Sequence, residues 1–274
     1  MTRLFPFMAS LLLALLAAAP APAQEMPFGD GERLEYTVHY KYGISADLAS
    51  VTSVGTVVGG DYHATLDLKT FRLWDSFFKI RDRYETTFRM SKGAYPRTAM
   101  RNVSEGGYWA KCNYTWGSNP KSVRCVLDKK DKPHRDTILS DGHEIRDVVN
   151  VLYYCRTADF AKLEAGETLH TTLAMDRTLY HVVLRFAGRE TKKVSGTTWN
   201  TVKLAISLQA GGADVNESNT AVSVGGSGEK VFFWVSDDDN RVPVFFSAGL
   251  KVGAVQGRLT SWSGLKHTEN KKEE

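Results

Sequence analysis

Beyond its first two dozen residues the 274-residue chain has no apolar run long enough to cross a membrane, and it has only three cysteines. It also lacks a dense block of one charge: the net charge is +4, or +3 without Arg3, and the signs alternate along the chain. A basic stripe of the kind that binds nucleic acid is therefore excluded. The serines sit in loops such as Val103-Ser104-Glu105-Gly106-Gly107, without the strand-turn-helix context of a nucleophile elbow. No two of the seven histidines stand at the helical or close-strand spacing of a metal pair, so neither a metal nor a cofactor is expected. With no catalytic set in view, the chain is not expected to be an enzyme. No internal repeat organises it.

The first segment is what a secretory signal requires. Arg3 precedes an apolar run from Met8 to Ala19, and Ala21-Pro22-Ala23 fits a cleavage site before Gln24. The run is shorter than the roughly 20 residues of a membrane-spanning helix. Residues 1–23 are thus expected to be a signal peptide, residues 24–266 a single β-rich domain, and the charged end from His267 to Glu274 a solvated tail.

Alternation dominates the chain beyond that segment. Leu34, Tyr36, Val38, Tyr40 and Tyr42 alternate with Arg33, Glu35, Thr37, His39 and Lys41, so one strand face is apolar and the other wet. Further strands are expected at 46–58, 63–69 and 81–90, then at 168–175, 179–194, 198–209 and 230–236, with the last pattern spanning 241–260. One stretch breaks the period. Ile145, Val148, Val149, Leu152 and Tyr153 have helical spacing, which predicts a helix over about 143–156 with Asp141 as its cap and Glu144 three residues on. The Gly- and Ser-rich residues 210–228 read as a flexible loop. Asp237-Asp238-Asp239-Asn240 lacks the alternating ligands of a Ca²⁺ loop and reads as a hairpin turn, with Arg241 pairing one of the aspartates.

Export bears on the cysteines. Cys112 and Cys125 are symmetric about Gly117-Ser118-Asn119-Pro120; a hairpin pairing Trp116 with Lys121 places them opposite each other, and an oxidising compartment favours a disulfide. Cys155 lies in the helical stretch and reads as a small core residue.

Three segments carry a family resemblance: Phe28-Gly29-Asp30-Gly31-Glu32-Arg33-Leu34-Glu35-Tyr36, Asp147-Val148-Val149-Asn150-Val151-Leu152-Tyr153-Tyr154-Cys155-Arg156, and Phe233-Trp234-Val235-Ser236 through Val244 with Leu250 to Val255. In order, they resemble the opening strand, the helix and the final hairpin of the bacterial exported family called domain of unknown function 3108. The resemblance implies an exported β-rich domain, periplasmic or secreted, and no established activity. Its layout is similar to that of periplasmic lipoprotein carriers of the LolA and LolB type, an analogy of architecture alone. Pattern and resemblance together imply a mainly β fold, a large curved antiparallel sheet or open barrel with one helix packed against it.

Aromatic side chains are the remaining surplus. Phe71, Leu73, Trp74, Phe77, Phe78 and Ile80 form one cluster, Tyr108, Trp109, Tyr114 and Trp116 a second, and Phe232, Phe233 and Trp234 a third. Read as a strand, Phe71 to Ile80 is apolar on both faces and needs a lid, a partner or a ligand. The expectation is a carrier that holds a lipid-like or hydrophobic ligand in the concavity of its sheet. Phe71, Trp74, Phe77, Phe78, Trp109, Tyr153 and Trp234 are its candidate contacts. The alternative is a module that presents the same aromatics to an envelope protein or the cell surface.

Overall fold

The computed structural model describes residues 25–42, 44–91, 93–211, 231–250 and 253–267. The expected signal peptide, nearly all of the 210–228 loop and the tail beyond His267 lie outside the described residues. Alternating sequence becomes strand after strand: β1 (Arg33–Tyr42), β2 (Ile44–Val58), β3 (Asp61–Thr70), β4 (Arg81–Arg89), β5 (Pro96–Glu105), β6 (Tyr108–Trp116), β7 (Ser122–Lys129) and β8 (Arg135–Ser140). After the short β9 (Ile145–Arg146) and helix α1 (Val148–Arg156), strands resume as β10 (Thr168–Met175), β11 (Thr178–Val194), β12 (Thr197–Gly211), β13 (Val231–Ser236), β14 (Pro243–Gly249) and β15 (Ala254–Ser263). The expected 241–260 region is two strands, β14 and β15, which pair antiparallel with each other.

All of these described strands join one sheet, curled into a nearly closed barrel. Hairpins link sequence neighbours, and β1 pairs antiparallel with β15, so the first and last described strands meet in mid-sheet. The open edges are β8 and β9, joined by residues 141–144. β9 pairs parallel with β10, and α1 is the crossover between them. Bulges at Glu35/Tyr36, Val38/His39, Thr87/Phe88 and Phe186/Gly188 add the local bend that a curled sheet needs.

The barrel is filled from within. In β6, Ala110, Cys112, Tyr114 and Trp116 are buried while Lys111, Asn113 and Thr115 face water, the period of two expected of a sheet with one wet face. Gly55 of β2 leaves room for Tyr62, whose ring lies where a β-carbon would sit. On one side of α1, Val149 and Tyr153 pack with Phe28, Tyr62 and Phe88; on the other, Val151 and Cys155 meet Leu173, Val182, Leu184 and Phe186. A helix with core on two sides lies in the lumen, not on a solvated surface.

α1 starts later than its periodicity implies. Its cap is Asp147, which accepts hydrogen bonds from the Val149 and Asn150 N–H groups at 3.0 Å and from Thr86 Oγ1 at 2.7 Å. Asp141 instead accepts from Thr172 Oγ1, and Glu144 accepts from Tyr95 and Arg146, because residues 145–146 pair with β10. Arg146, fully buried, donates to Ala94 O, Asn150 Oδ1 and Thr171 Oγ1 and stacks 3.8 Å above the Tyr154 ring.

The other end of α1 is held by charge. Arg156 donates to both carboxylate oxygens of Glu32, at 2.6 and 2.7 Å, and to Asn240 O at 2.9 Å, with all three residues buried. Burial opposes the guanidinium's charge, but Glu32 outweighs it and keeps Arg156 ionised. The Asp237 to Asn240 turn completes the clamp. Asp238 Oδ1 accepts from Ser236 Oγ and the Asn240 and Arg241 N–H groups, as turn chemistry requires. Arg241 does not pair with an aspartate of this turn; it donates to Arg156 O and Ala158 O. Asp237 pairs instead with Arg189.

Arg156→Met is expected to cost about 3–5 kcal/mol in urea unfolding, because it strands the buried Glu32 carboxylate, whereas adding Glu32→Leu recovers most of that loss. A single variant as stable as the parent would show that the pair does not hold the helix. Burial chiefly pushes the Asp147 carboxyl up, to about 6 from 3.8, despite the N–H groups it accepts from. Between these values the folded state keeps a proton that the unfolded state has lost, so this group's contribution falls as pH rises through 6. Asp147→Asn keeps the cap and removes the slope. The stability of the parent relative to this variant is expected to drop by up to about 3 kcal/mol between pH 4 and 7; a constant difference refutes the assignment.

Candidate functional site

The seven aromatic candidates separate into two environments. Tyr153 and Trp234 are packed core: Tyr153 meets Phe28 and Tyr62 edge to face and Phe88 at a tilt, and Trp234 lies in a cluster with Leu34, Val244 and Leu259 while its Nε1 donates to Glu190. Neither lines an open concavity: Tyr153 belongs to α1 and packs into the lumen core, and Trp234 is covered by Phe245 and by Lys192, whose Nζ lies 4.0 Å over its ring. The other five gather at one end of the barrel.

Residues 71–80 are a loop between β3 and β4 and not a strand, which corrects the two-faced strand reading. Its frame is polar. Asp75 accepts from Thr70 Oγ1 at 2.5 Å and from Arg81 Nη2 at 2.5 Å, and Phe77 and Phe78 donate their N–H groups back to Trp74 O at 2.9 Å. Trp74 is half-buried, with Nε1 on Asp47 O at 2.7 Å. Coiled in this way, the loop turns its apolar side chains outward: Leu73 is 73% exposed, Phe77 80% and Phe78 51%. Phe71 lies beside them, about a third exposed.

The β5–β6 hairpin extends this surface. Gly106 donates to Lys79 O, and Ile80 bridges to Glu105. Gly106, at φ +55°, lets Phe78 lie against the turn, since a β-carbon there would come within 2.5 Å of the ring. Beyond the turn stand Tyr108 and Trp109, the latter 47% exposed. The β7–β8 turn closes the group, with Lys130 donating its N–H to Trp109 O and its Nζ to Gly107 O. Arg72, Lys79, Lys130 and Lys132 are exposed around the apolar tip. Beneath it, burial chiefly, with the neighbouring Glu105, pushes Asp82 up to about 7 against the Ser104 N–H that it accepts from. Sequence reasoning missed Gly106 and the lysines as site residues. The turn signal Glu105-Gly106-Gly107 was readable, but its neighbour in space was not.

Among the described residues, core side chains on both sides of α1 occupy the barrel interior. A small cavity beneath β4 and β5, bounded by Tyr84, Arg101, Tyr114, Asp147 and Val148, measures about 10 Å³, the space of one water. An open groove of about 320 Å³ over β4, β5 and β6 is lined largely by polar residues, Glu85, Thr86, Thr87, Thr98, Asn113 and Thr115 among them.

Cys112 and Cys125 are buried, unbonded thiols with Sγ atoms 2.9 Å apart, against about 2.05 Å in a disulfide. Their register differs from the expected one: Trp116 pairs with Val123, so Cys112 faces Leu127 and Cys125 faces Tyr114. The turn takes two more residues because Asn119 Oδ1 caps the Lys121 N–H while Pro120 O accepts from Ile145. Diagonal neighbours on one face nonetheless bring the sulfurs together, over the backbone carbonyl of Asp176. Cys155 is buried in the core, as expected of it.

The histidines are spread among carboxylate and hydroxyl partners: His39 with Asp47, His63 with Thr87, His134 with Asp128, His170 with Thr168. One grouping departs from the expectation that no two would pair. His143, from the β8–β9 link, and His181, from β11, have ring centroids 5.9 Å apart, with Asp141 beside them.

Among the described residues no helix is long and apolar enough to cross a membrane. Comparison with solved structures finds a likeness to a β-barrel-like protein of domain of unknown function DUF1849 from Brucella abortus. The TM-score is 0.53 at 9% identity, covering 87% of this chain and 100% of that one. The likeness is one of fold. A putative exported protein with a YmcC-like fold from Bacteroides fragilis aligns over 88% of this chain and 99% of its own, at 7% identity and a TM-score of 0.30, too loose a superposition to define a shared fold. No curated protein matches the chain. The family described as protein of unknown function (DUF3108) matches residues 35–260, the whole span from β1 into β15, and the chain belongs to that family.

Proposed function

We propose that this chain is an exported, non-enzymatic binding protein of the bacterial envelope that meets a lipid-like or hydrophobic partner with its aromatic rim. One observation carries the reading: large apolar side chains stand exposed together at one end of a barrel whose interior is filled. Exposed aromatics flanked by Arg and Lys have the composition of an interfacial anchor, in which rings enter the headgroup region and cations meet anionic lipid. Each phenylalanine that leaves water contributes about 1.5–3 kcal/mol, so a tip of this size supports reversible binding without spanning the bilayer. The carrier reading, with ligand in the barrel, requires α1 to leave the lumen. A lipid retained one-to-one by protein purified from the periplasm would favour it.

Sedimentation with vesicles of phosphatidylethanolamine and phosphatidylglycerol tests the rim. The parent is expected to co-sediment, and a variant carrying Leu73→Ser, Phe77→Ser and Phe78→Ser to lose most of that binding while keeping its β circular dichroism. A parent that stays in the supernatant would remove the lipid surface as partner and leave a protein.

Export is supported by the N-terminal signal pattern, and the thiol pair offers a test of it. In an oxidising compartment Cys112 and Cys125 need close by less than about 1 Å to bond. Alkylation and mass mapping of protein taken from the periplasm should find them joined and Cys155 free; three alkylated thiols would count against an oxidising location.

A further inference from the structure

We propose that Asp141, His143 and His181 form a binding site for one divalent transition-metal ion of the class imidazole favours, Zn²⁺, Ni²⁺ or Cu²⁺. One ligand atom from each residue lies within 4.8 Å of the other two. Two imidazoles and one carboxylate are the donor set of many three-ligand sites, which leave a fourth position to water. Donors around a tetrahedral Zn²⁺ at about 2.0–2.1 Å lie closer together than this, by roughly 1 Å or more. The two histidines can make that change by side-chain rotation alone, since His143 is exposed and the His181 side chain is 44% exposed.

The carboxylate is the fixed member. Asp141 accepts hydrogen bonds from Thr172 Oγ1 and from the Gly142 N–H at 2.6 Å, and its side chain is only 17% exposed. Such partners orient a metal-binding carboxylate. His181 Nδ1 stands 3.7 Å from Asp141 Oδ2, beyond hydrogen-bond length, so the two converge without satisfying each other. The His143 and His181 rings meet edge to face at 82°. Nothing in this arrangement needs the aromatic rim, and the site is independent of the proposed function.

The position gives the ion a task. Asp141 and His143 belong to the link between the two sheet edges β8 and β9, while His181 belongs to β11. Strand pairing stops at this seam, where side-chain bonds such as Arg177 Nε to Thr137 Oγ1, 3.1 Å, take its place. A metal ion bound to all three residues ties the link to β11 and reinforces the barrel at a seam that only isolated backbone hydrogen bonds span, such as Thr172 N–H to Glu144 O at 3.0 Å and Ile145 N–H to Pro120 O at 2.8 Å.

Calorimetric titration of the chelator-treated mature chain with ZnCl₂ is expected to show one site per chain, with a higher melting temperature in saturating Zn²⁺. His143→Ala and His181→Ala, both at accessible positions, should each abolish the site, and Thr172→Val should weaken it by about 10- to 100-fold. Titration with Co²⁺ gives a second readout on the unaltered chain: nitrogen and oxygen ligands give visible bands without the intense near-ultraviolet band of thiolate. No saturable binding, binding that survives both histidine variants, or a thiolate band that points to Cys112 and Cys125 would each overturn the assignment.

Discussion

The buried pair between Arg156 and Glu32 is the contact on which the rest of the barrel depends. It joins the C-terminal end of the lumen helix to the segment entering β1, and through Asn240 O to the β13–β14 turn. Asn240 in turn exchanges hydrogen bonds with the backbone of His267, beyond the last strand. Three distant parts of the chain thus meet at one guanidinium, and a fourth joins them through Asn240. A shifted helix would leave two charges in an apolar interior, each costing several kcal/mol, so the pair selects one docking of α1 among the many that hydrophobic contact alone would tolerate. Phe28 and Tyr153, whose rings lie 5.0 and 5.4 Å from the guanidinium, keep water from relieving that penalty.

With the helix locked in the lumen, the barrel's inner face is spent on folding. Side chains that a hollow barrel would offer to a ligand serve here as core around the helix, Tyr62 and Phe88 among them. Binding surface must then come from the ends, and the 71–80 loop supplies it because the Asp75 carboxylate is held by the Thr70 and Arg81 side chains at the loop's two ends, which leaves Leu73, Phe77 and Phe78 facing outward. The same division of labour explains why Asp82, just below, holds its proton to about pH 7: it lies where the dry interior begins.

Much of this was legible in the residues. β6 shows its alternation openly, with Ala110, Cys112, Tyr114 and Trp116 inward, and β10 and β11 lie within one residue of their expected limits. The departures share a cause. The helix cap moved from Asp141 to Asp147 because β10 recruits Ile145 and Arg146 into a parallel pair, a contact between positions far apart in sequence. The cysteine register moved by two because Ile145 draws on the Asn119-Pro120 turn from outside the hairpin. Local pattern reports which face is apolar; it does not report what will cover it.

Composition and period by themselves determined a mainly β chain with one helix, a hairpin meander and an N-terminal export pattern, since burial of one strand face and the length of an apolar run are local properties. Only the tertiary structure decided that the helix fills the barrel, that Phe77 faces water while Tyr153 does not, and that Asp141, His143 and His181 meet. Those outcomes depend on the β1–β15 pairing that joins the two halves into one sheet and on the curl that brings its β8 and β9 edges towards each other, so that residues meet that no spacing along the chain relates.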